Sequence, residues 1–111
     1  MNNISSHTTK KIPSHLTVGG QFLNVISEEY VDELCGICSL PEGWIKIADK
    51  LTPTRIQSES SKVNTFYHEL IHAILDTMGR TDLSQDETFV NCFAGFLTEA
   101  MKNAYFYENY C

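Results

Sequence analysis

Hydrophobic and polar residues alternate in the first half of the chain. Residues 16–26 alternate on either side of Gly19-Gly20, a pattern typical of two short strands joined by a tight turn. Two further β-prone runs, residues 35–40 and 44–48, are separated by a Pro-Glu-Gly turn sequence. These runs predict a small antiparallel sheet of three to four strands.

The second half of the chain has a helical pattern, with apolar residues recurring every three or four positions. A first helix is expected from about Ser58 to Met78, ended by Gly79, and a second from Ser84 to about Asn103. The predicted fold class is therefore α+β, a small antiparallel sheet followed by two main helices, with the first helix packed on the sheet.

Composition and charge narrow the class of protein. A chain of 111 residues with 42% hydrophobic and 20% charged residues is typical of one globular domain, residues 1–111, here with a loose N-terminal arm over residues 1–13. The formal charge of −6 and the eight scattered Lys and Arg residues make nucleic acid an unexpected partner. Without a secretory signal or a membrane span, the chain is expected to be cytoplasmic and free of membrane contact. The sequence does not indicate an oligomeric state.

The cysteines do not form a complete zinc-binding pattern. Cys35 and Cys38 have the spacing of half a four-ligand site, but Cys92 and Cys111 lie far apart and supply no second pair. The alternative is that the thiols of residues 35 and 38 are reduced and pack within a strand as small hydrophobic groups.

Residues 68–72, His-Glu-Leu-Ile-His, carry the H-E-x-x-H pattern inside the first predicted helix. Residues four apart lie one turn apart on the same side of a helix, so both imidazoles can bind one Zn²⁺ ion. Glu69, about 60° around the helix from His72, could take a proton from a water molecule on the open position of the metal. The pattern predicts zinc-dependent peptide hydrolysis. The alternative is two histidines at the edge of the core, each needing its own hydrogen-bond partner.

A catalytic zinc ion also needs a third protein ligand. The candidates downstream of the motif are Asp76, Asp82, Asp86, Glu87, Asn91 and Glu99. Glu87 is preferred, because the first turn of the second helix can approach the first helix near the metal, whereas Asp76 lies on the histidine helix itself. The alternative role for Glu87 is a capping box with Ser84. Asn91, one turn after Glu87, is predicted either to hydrogen-bond a ligating imidazole or to be a polar residue facing the other helix.

Two stretches, residues 66–73 and 87–94, resemble the ImmA/IrrE-like metallopeptidases, small gluzincin-type proteins common in phages and mobile elements. These proteins share H-E-x-x-H-A and, downstream, E-x-x-A-x-x-F-A. The resemblance extends over about residues 63–97, with Val90 in place of the first alanine of the second motif.

The resemblance implies a zincin-like fold in which a strand of the sheet lines the substrate cleft. His68, His72 and Glu87 would be zinc ligands, and Glu69 the general base and acid. Residues 43–48 become the expected substrate-aligning edge strand. The predicted function is a zinc-dependent metallopeptidase acting on a protein or peptide substrate. The alternative is a non-catalytic, zinc-bound protein-interaction module of a phage or mobile element.

Overall fold

The described part of the chain folds into a four-stranded sheet, a two-stranded ribbon and three helices. The computed structural model describes residues 12–105, so most of the predicted N-terminal arm, residues 1–13, lies outside the described residues. The strands and helices are β1 (His15–Val18), β2 (Gln21–Glu28), β3 (Gly36–Ser39), β4 (Trp44–Ala48), β5 (Lys50–Thr52), β6 (Arg55–Ile56), α1 (Glu59–Thr77), the one-turn α2 (Thr81–Ser84) and α3 (Glu87–Lys102). The predicted α+β class and the two main helices are confirmed.

The sheet is mixed, with strand order β1-β2-β4-β3. β1 pairs antiparallel with β2, and both glycines of the intervening turn, Gly19 and Gly20, have positive φ, as this type of tight hairpin turn requires. β3 and β4 are also antiparallel, but β2 and β4 are parallel. The prediction of an antiparallel sheet is therefore wrong. Residues 29–35 run past the position next to β2, so β3 forms one position further out. The β3–β4 hairpin then places β4 between β2 and β3.

β4 lies at the centre of the sheet, because it is the most apolar strand. Ile45, Ile47 and Ala48 are between 0% and 4% exposed. The prediction that residues 43–48 form an edge strand is wrong, since both sides of β4 are paired. The edge strand next to α1 is β3.

Helix α1 lies between the sheet and α3. One side packs on the sheet in a buried cluster of Leu23, Ile45, Ile47, Phe66 and Ala73. Another side packs on α3 in a second cluster of Ile71, Leu75, Val90 and Ala94. Among residues 12–105, no helix is both long and apolar enough to cross a membrane.

The ends of α1 are set by local hydrogen bonds. Ser58 caps the N-terminus, where its side chain accepts from the Ser61 N–H. At the other end the Gly79 N–H donates to the Asp76 carbonyl and the Arg80 N–H to the Leu75 carbonyl. This pair of bonds needs a left-handed residue, and Gly79 has φ +80°. The predicted start and end of the first helix are confirmed.

A buried amide fastens the start of α1 to the sheet. Gln57 is 2% exposed, and its Nε2 donates to the carbonyl oxygens of Ala48 at 2.6 Å and Cys35 at 3.3 Å. Its Oε1 accepts from Ser61 Oγ and Thr65 Oγ1, both at 2.8 Å. A buried amide is tolerated when its hydrogen bonds are made. These four bonds hold the first two turns of α1 against the end of β4 and the residue that precedes β3.

Gly36, at the start of β3, allows α1 to approach the edge of the sheet. A Cβ atom at this position would lie 2.5 Å from Thr65 Cγ2 and 2.7 Å from the Lys46 carbonyl oxygen. It would also lie 3.7 Å from Glu69 Cγ. The absence of a side chain at residue 36 therefore sets how closely the motif helix lies along β3.

We expect Gly36→Ala to destabilise the protein by about 1–3 kcal/mol, the usual cost of overpacking a closely packed contact. Gly95→Ala is the matched control, because Gly95 lies within α3 and a Cβ there meets no atom within 4 Å. Alanine at residue 95 should stabilise the helix by about 0.5–1 kcal/mol. Urea unfolding of both variants measures the difference, and equal stability changes would contradict the close approach.

Candidate metal centre

The third side of α1 faces a cleft between β3 and α3. His68, Glu69 and His72 lie on this side, and Glu87 reaches it from the first turn of α3. His68 and His72 are held on one rigid helix that the two buried clusters fix in place. The side chains of the two histidines are 20% and 18% exposed, whereas that of Glu87 is 61% exposed. The packing of α1 therefore holds the two histidines in place, while the Glu87 carboxylate is open to the cleft.

The three predicted ligands meet at one point. The Nε2 atoms of His68 and His72 are 3.3 Å apart. Glu87 Oε1 lies 3.4 Å from His68 Nε2, and Glu87 Oε2 lies 3.5 Å from His72 Nε2. A tetrahedral ion with ligands at about 2.0–2.1 Å needs ligand atoms about 3.3–3.4 Å apart. The donor atoms of these three residues thus have the spacing of a zinc site, and the cluster could hold a metal ion.

Glu87 is not part of a capping box. The N-cap of α3 is Asp86, whose side chain accepts from the Phe89 N–H at 3.1 Å. Ser84 belongs to the preceding turn, α2, and does not cap α3. Because Asp86 satisfies the helix end, the Glu87 carboxylate is available to the two histidines.

Ser84 contacts the site in a way that the sequence did not indicate. Its Oγ lies 2.9 Å from His72 Nδ1, and the residue is 7% exposed. The tautomer in which Nδ1–H donates to Ser84 leaves Nε2 of His72 available as a ligand. Metal-bound histidines usually have such a partner on the second ring nitrogen. A hydroxyl-bearing residue in the short segment between the two motifs was therefore the sequence feature that could have indicated this contact.

His68 is biased towards the neutral state that metal binding requires. Burial and the proximity of His72 lower its pKa, against the raising effects of the Glu87 charge and a hydrogen bond with Asn91. Asn91 and His68 line the same end of the cleft, so His68 is the imidazole that the predicted Asn91 hydrogen bond would reach. A neutral imidazole binds metal without first losing a proton.

Glu69 is not one of the three candidate ligands but lies beside them. It lines the cleft on both sides of the ligand group. Burial, and secondarily the charge of Glu87, raise its pKa from 4.5 to about 7. A carboxyl group with such a pKa can accept and release a proton near neutral pH.

The cleft follows the outer edge of β3 and has two ends. The Asn64 end, about 510 Å³, is lined by Leu34–Ile37, Asn64, Thr65, His68, Glu69, His72, Glu87 and Asn91. The Asp76 end, about 440 Å³, is lined by Ile37–Pro41, Glu69, His72 and Asp76. The Ala48 N–H donates to the Cys35 carbonyl. Since bonding pairs alternate in an antiparallel ladder, the backbone polar groups of Gly36 and Cys38 point away from β4 and towards the cleft.

The cysteine pair takes no part in the ligand group. Residues 35 and 38 are separated by three positions on an extended segment, so their side chains point to opposite faces. Burial, followed by the charges of Glu69 and Asp76, raises the pKa of Cys38 to about 12. A thiol with such a pKa remains protonated and is a poor metal ligand.

Comparisons with known proteins add no family assignment. No protein-family model matches this chain, and no significant match was found among curated proteins or among solved structures. The resemblance to the ImmA/IrrE-like peptidases rests on the two sequence motifs.

The half-buried carboxyl of Glu69 should make the stability of the metal-free protein depend on pH. Its pKa is about 7 in the folded protein and about 4.3 in an unfolded chain, so the folded state holds this proton more tightly. Below about pH 4 the group is protonated in both states and costs nothing. Above pH 7 its ionisation destabilises the fold by up to about 3 kcal/mol.

Glu69→Gln has no proton to lose at this position. Its unfolding free energy relative to the wild type should therefore rise by up to about 3 kcal/mol between pH 4 and pH 8. Urea unfolding of both proteins in EDTA measures this difference. A difference independent of pH would contradict the raised pKa.

Proposed function

We propose that this protein is a zinc-dependent metallopeptidase that hydrolyses a peptide bond in a protein or peptide substrate. The observation that carries the proposal is the spacing of 3.3–3.5 Å among donor atoms of His68, His72 and Glu87. Glu69 supplies a second carboxylate beside these ligands. Three protein ligands and an open side facing a cleft are typical of catalytic zinc sites, whereas structural sites are closed by a fourth protein ligand.

The donor set fits zinc. Imidazole nitrogen and carboxylate oxygen are common zinc ligands, and two histidines with one glutamate form a known catalytic combination. Ser84 fixes the ring of His72, and the lowered pKa of His68 favours its neutral form.

Zinc bound at these residues would supply a water molecule of lowered pKa and positive charge for the developing oxyanion. Glu69 would accept the proton of the attacking water on a carboxylate oxygen. It would then deliver that proton to the nitrogen of the departing amine. In the metal-free protein the Glu69 carboxyl has a pKa of about 7, so it can hold and release a proton near neutral pH.

The outer edge of β3 suits an extended peptide. The outward N–H and C=O groups of Gly36 and Cys38 can pair with a peptide backbone, as in strand addition. Glu69 lies next to Gly36, so a peptide paired with β3 would pass directly beside the proposed base. The substrate-aligning strand of this proposal is therefore β3 and not residues 43–48.

The proposal also includes the zincin-like, ImmA/IrrE-like character implied by the motifs and a cytoplasmic setting in a bacterial or phage-infected cell. The competing function is a non-catalytic zinc-bound interaction module. The two differ at Glu69, which a binding module does not need and a hydrolase does.

We expect Glu69→Gln to retain one zinc ion per chain and to lose at least about 100-fold in peptide hydrolysis, because a positioned general base contributes about 10²–10⁴ in rate. Elemental analysis and cleavage of a denatured-protein substrate, followed by mass spectrometry, measure both properties. Glu99→Gln is the matched control, since Glu99 is exposed on α3 and lines neither end of the cleft.

The outcomes separate the candidate functions. If the wild type and Glu69→Gln both contain zinc, and they hydrolyse the substrate equally or not at all, the peptidase function is overturned and the interaction module remains. Absence of zinc, together with no increase in the melting temperature on adding zinc, would overturn both.

A further inference from the structure

The candidate cleft has an uneven distribution of charge. Among residues 12–105, three carboxylates line it, those of Glu69, Asp76 and Glu87, and no Lys or Arg lines either end. The chain as a whole has a formal charge of −6, and four of its acidic residues outside the cleft form ion pairs with Lys or Arg. The ion pairs with Lys or Arg among residues 12–105 are Lys46–Glu28, Lys50–Glu29, Lys62–Asp49 and Arg80–Asp82. Asp76 belongs to none of them.

Zinc binding would cancel the charges of two of the three carboxylates. Zn²⁺ carries two positive charges, and Glu87 and Glu69 at its side carry one negative charge each when ionised. Asp76 is then the one uncompensated charge among the described residues that line the cleft. It lines the same end of the cleft as Cys38 and the rest of the segment Ile37–Pro41, so it faces the strand across the cleft.

Asp76 lies at a defined end of the cleft. It is on α1, one turn beyond His72, and faces the segment Ile37–Pro41. A peptide paired antiparallel with β3, the more stable arrangement, runs from the Asp76 end towards the Asn64 end. The part of the peptide before the cleaved bond would then lie beside Asp76.

Resting on the proposed peptidase function, we infer that the cleft selects extended peptides with Lys or Arg on the N-terminal side of the cleaved bond, and that Asp76 is the specificity-determining residue. The Asp76 carboxylate pairs with the side-chain cation. The apolar stem of Lys or Arg packs along Leu40 and Pro41. An acidic residue at the same position of the peptide is repelled.

Equilibrium binding tests the inference without relying on hydrolysis. The probe is a series of fluorescent ten-residue Ala-Thr peptides with one Lys or one norleucine, which has the Lys stem without the ammonium group, at each position in turn. The zinc-loaded Glu69→Gln variant binds them, and fluorescence polarisation gives the dissociation constants. At the best position we expect Lys to bind about 2- to 5-fold more tightly, the effect of an exposed ion pair.

In the double variant Glu69→Gln/Asp76→Asn, the Lys and norleucine peptides should bind about equally tightly. In Glu69→Gln alone, 1 M salt should reduce the preference for Lys. Glu69→Gln/Asp82→Asn is the matched control, because Asp82 is an exposed aspartate that pairs with Arg80 and does not line the cleft. The Lys preference should remain in this control. Loss of the preference in the Asp82 control as well, or its persistence without Asp76, would overturn the inference.

Cleavage by the wild-type protein fixes the side of the preference. Mass spectrometry of the same peptides should place Lys before the cleaved bond. Cleavage with no preference for Lys, or with Lys after the bond, would overturn the inference and leave the peptidase function standing. No cleavage by zinc-loaded protein, with the Asp76-dependent binding intact, would overturn the peptidase function and support the cationic-peptide cleft.

Discussion

The candidate site depends on one contact, in which the Glu87 carboxylate from α3 lies against the imidazoles of His68 and His72 on α1. The contact between the two helices sets the distance. Ile71 and Leu75 pack against Val90 and Ala94, and this buried cluster fixes the first turn of α3 beside the histidine pair. The one-turn helix α2 reverses the chain within a few residues and brings a hydroxyl against the second histidine. Donor separations of 3.3–3.5 Å are the result.

The β3 side of the cleft is held by different contacts. Gln57 ties α1 to the sheet through four hydrogen bonds, and Gly36 allows the close approach of Thr65 and Glu69 to β3. None of these contacts involves α3. The α1–α3 contact therefore fixes the proposed metal ligands, while the α1–β3 contact fixes the width of the groove and the position of the proposed base. A substitution in one contact can change peptide binding without changing metal binding, or the reverse.

The motif helix and the proximity of its two histidines followed from the sequence because their signals are local. The helical turn brings residues 68 and 72 together, and Gly79 ends the helix by a backbone conformation that favours glycine. Strand order depends on long-range pairing, which local alternation does not encode, so the parallel contact between β2 and β4 was missed. The near-continuous apolar run Ile45–Ala48 was the available sign of a central strand. The prediction that the second helix begins at Ser84 is wrong, since α3 begins at Glu87 with Asp86 as its N-cap; a capping-box pattern does not distinguish a serine at the N-cap from one a turn earlier.

The most direct measurement of the central claim is X-ray absorption at the zinc edge of protein loaded with one equivalent of zinc. The account predicts nitrogen and oxygen ligands at about 2.0–2.1 Å with a scattering pattern of two imidazoles, and no sulfur. The imidazole signal should fall to one ring in His72→Ala. Sulfur at about 2.3 Å, which would mean cysteine ligation, or failure of the chain to bind zinc at all, would contradict it.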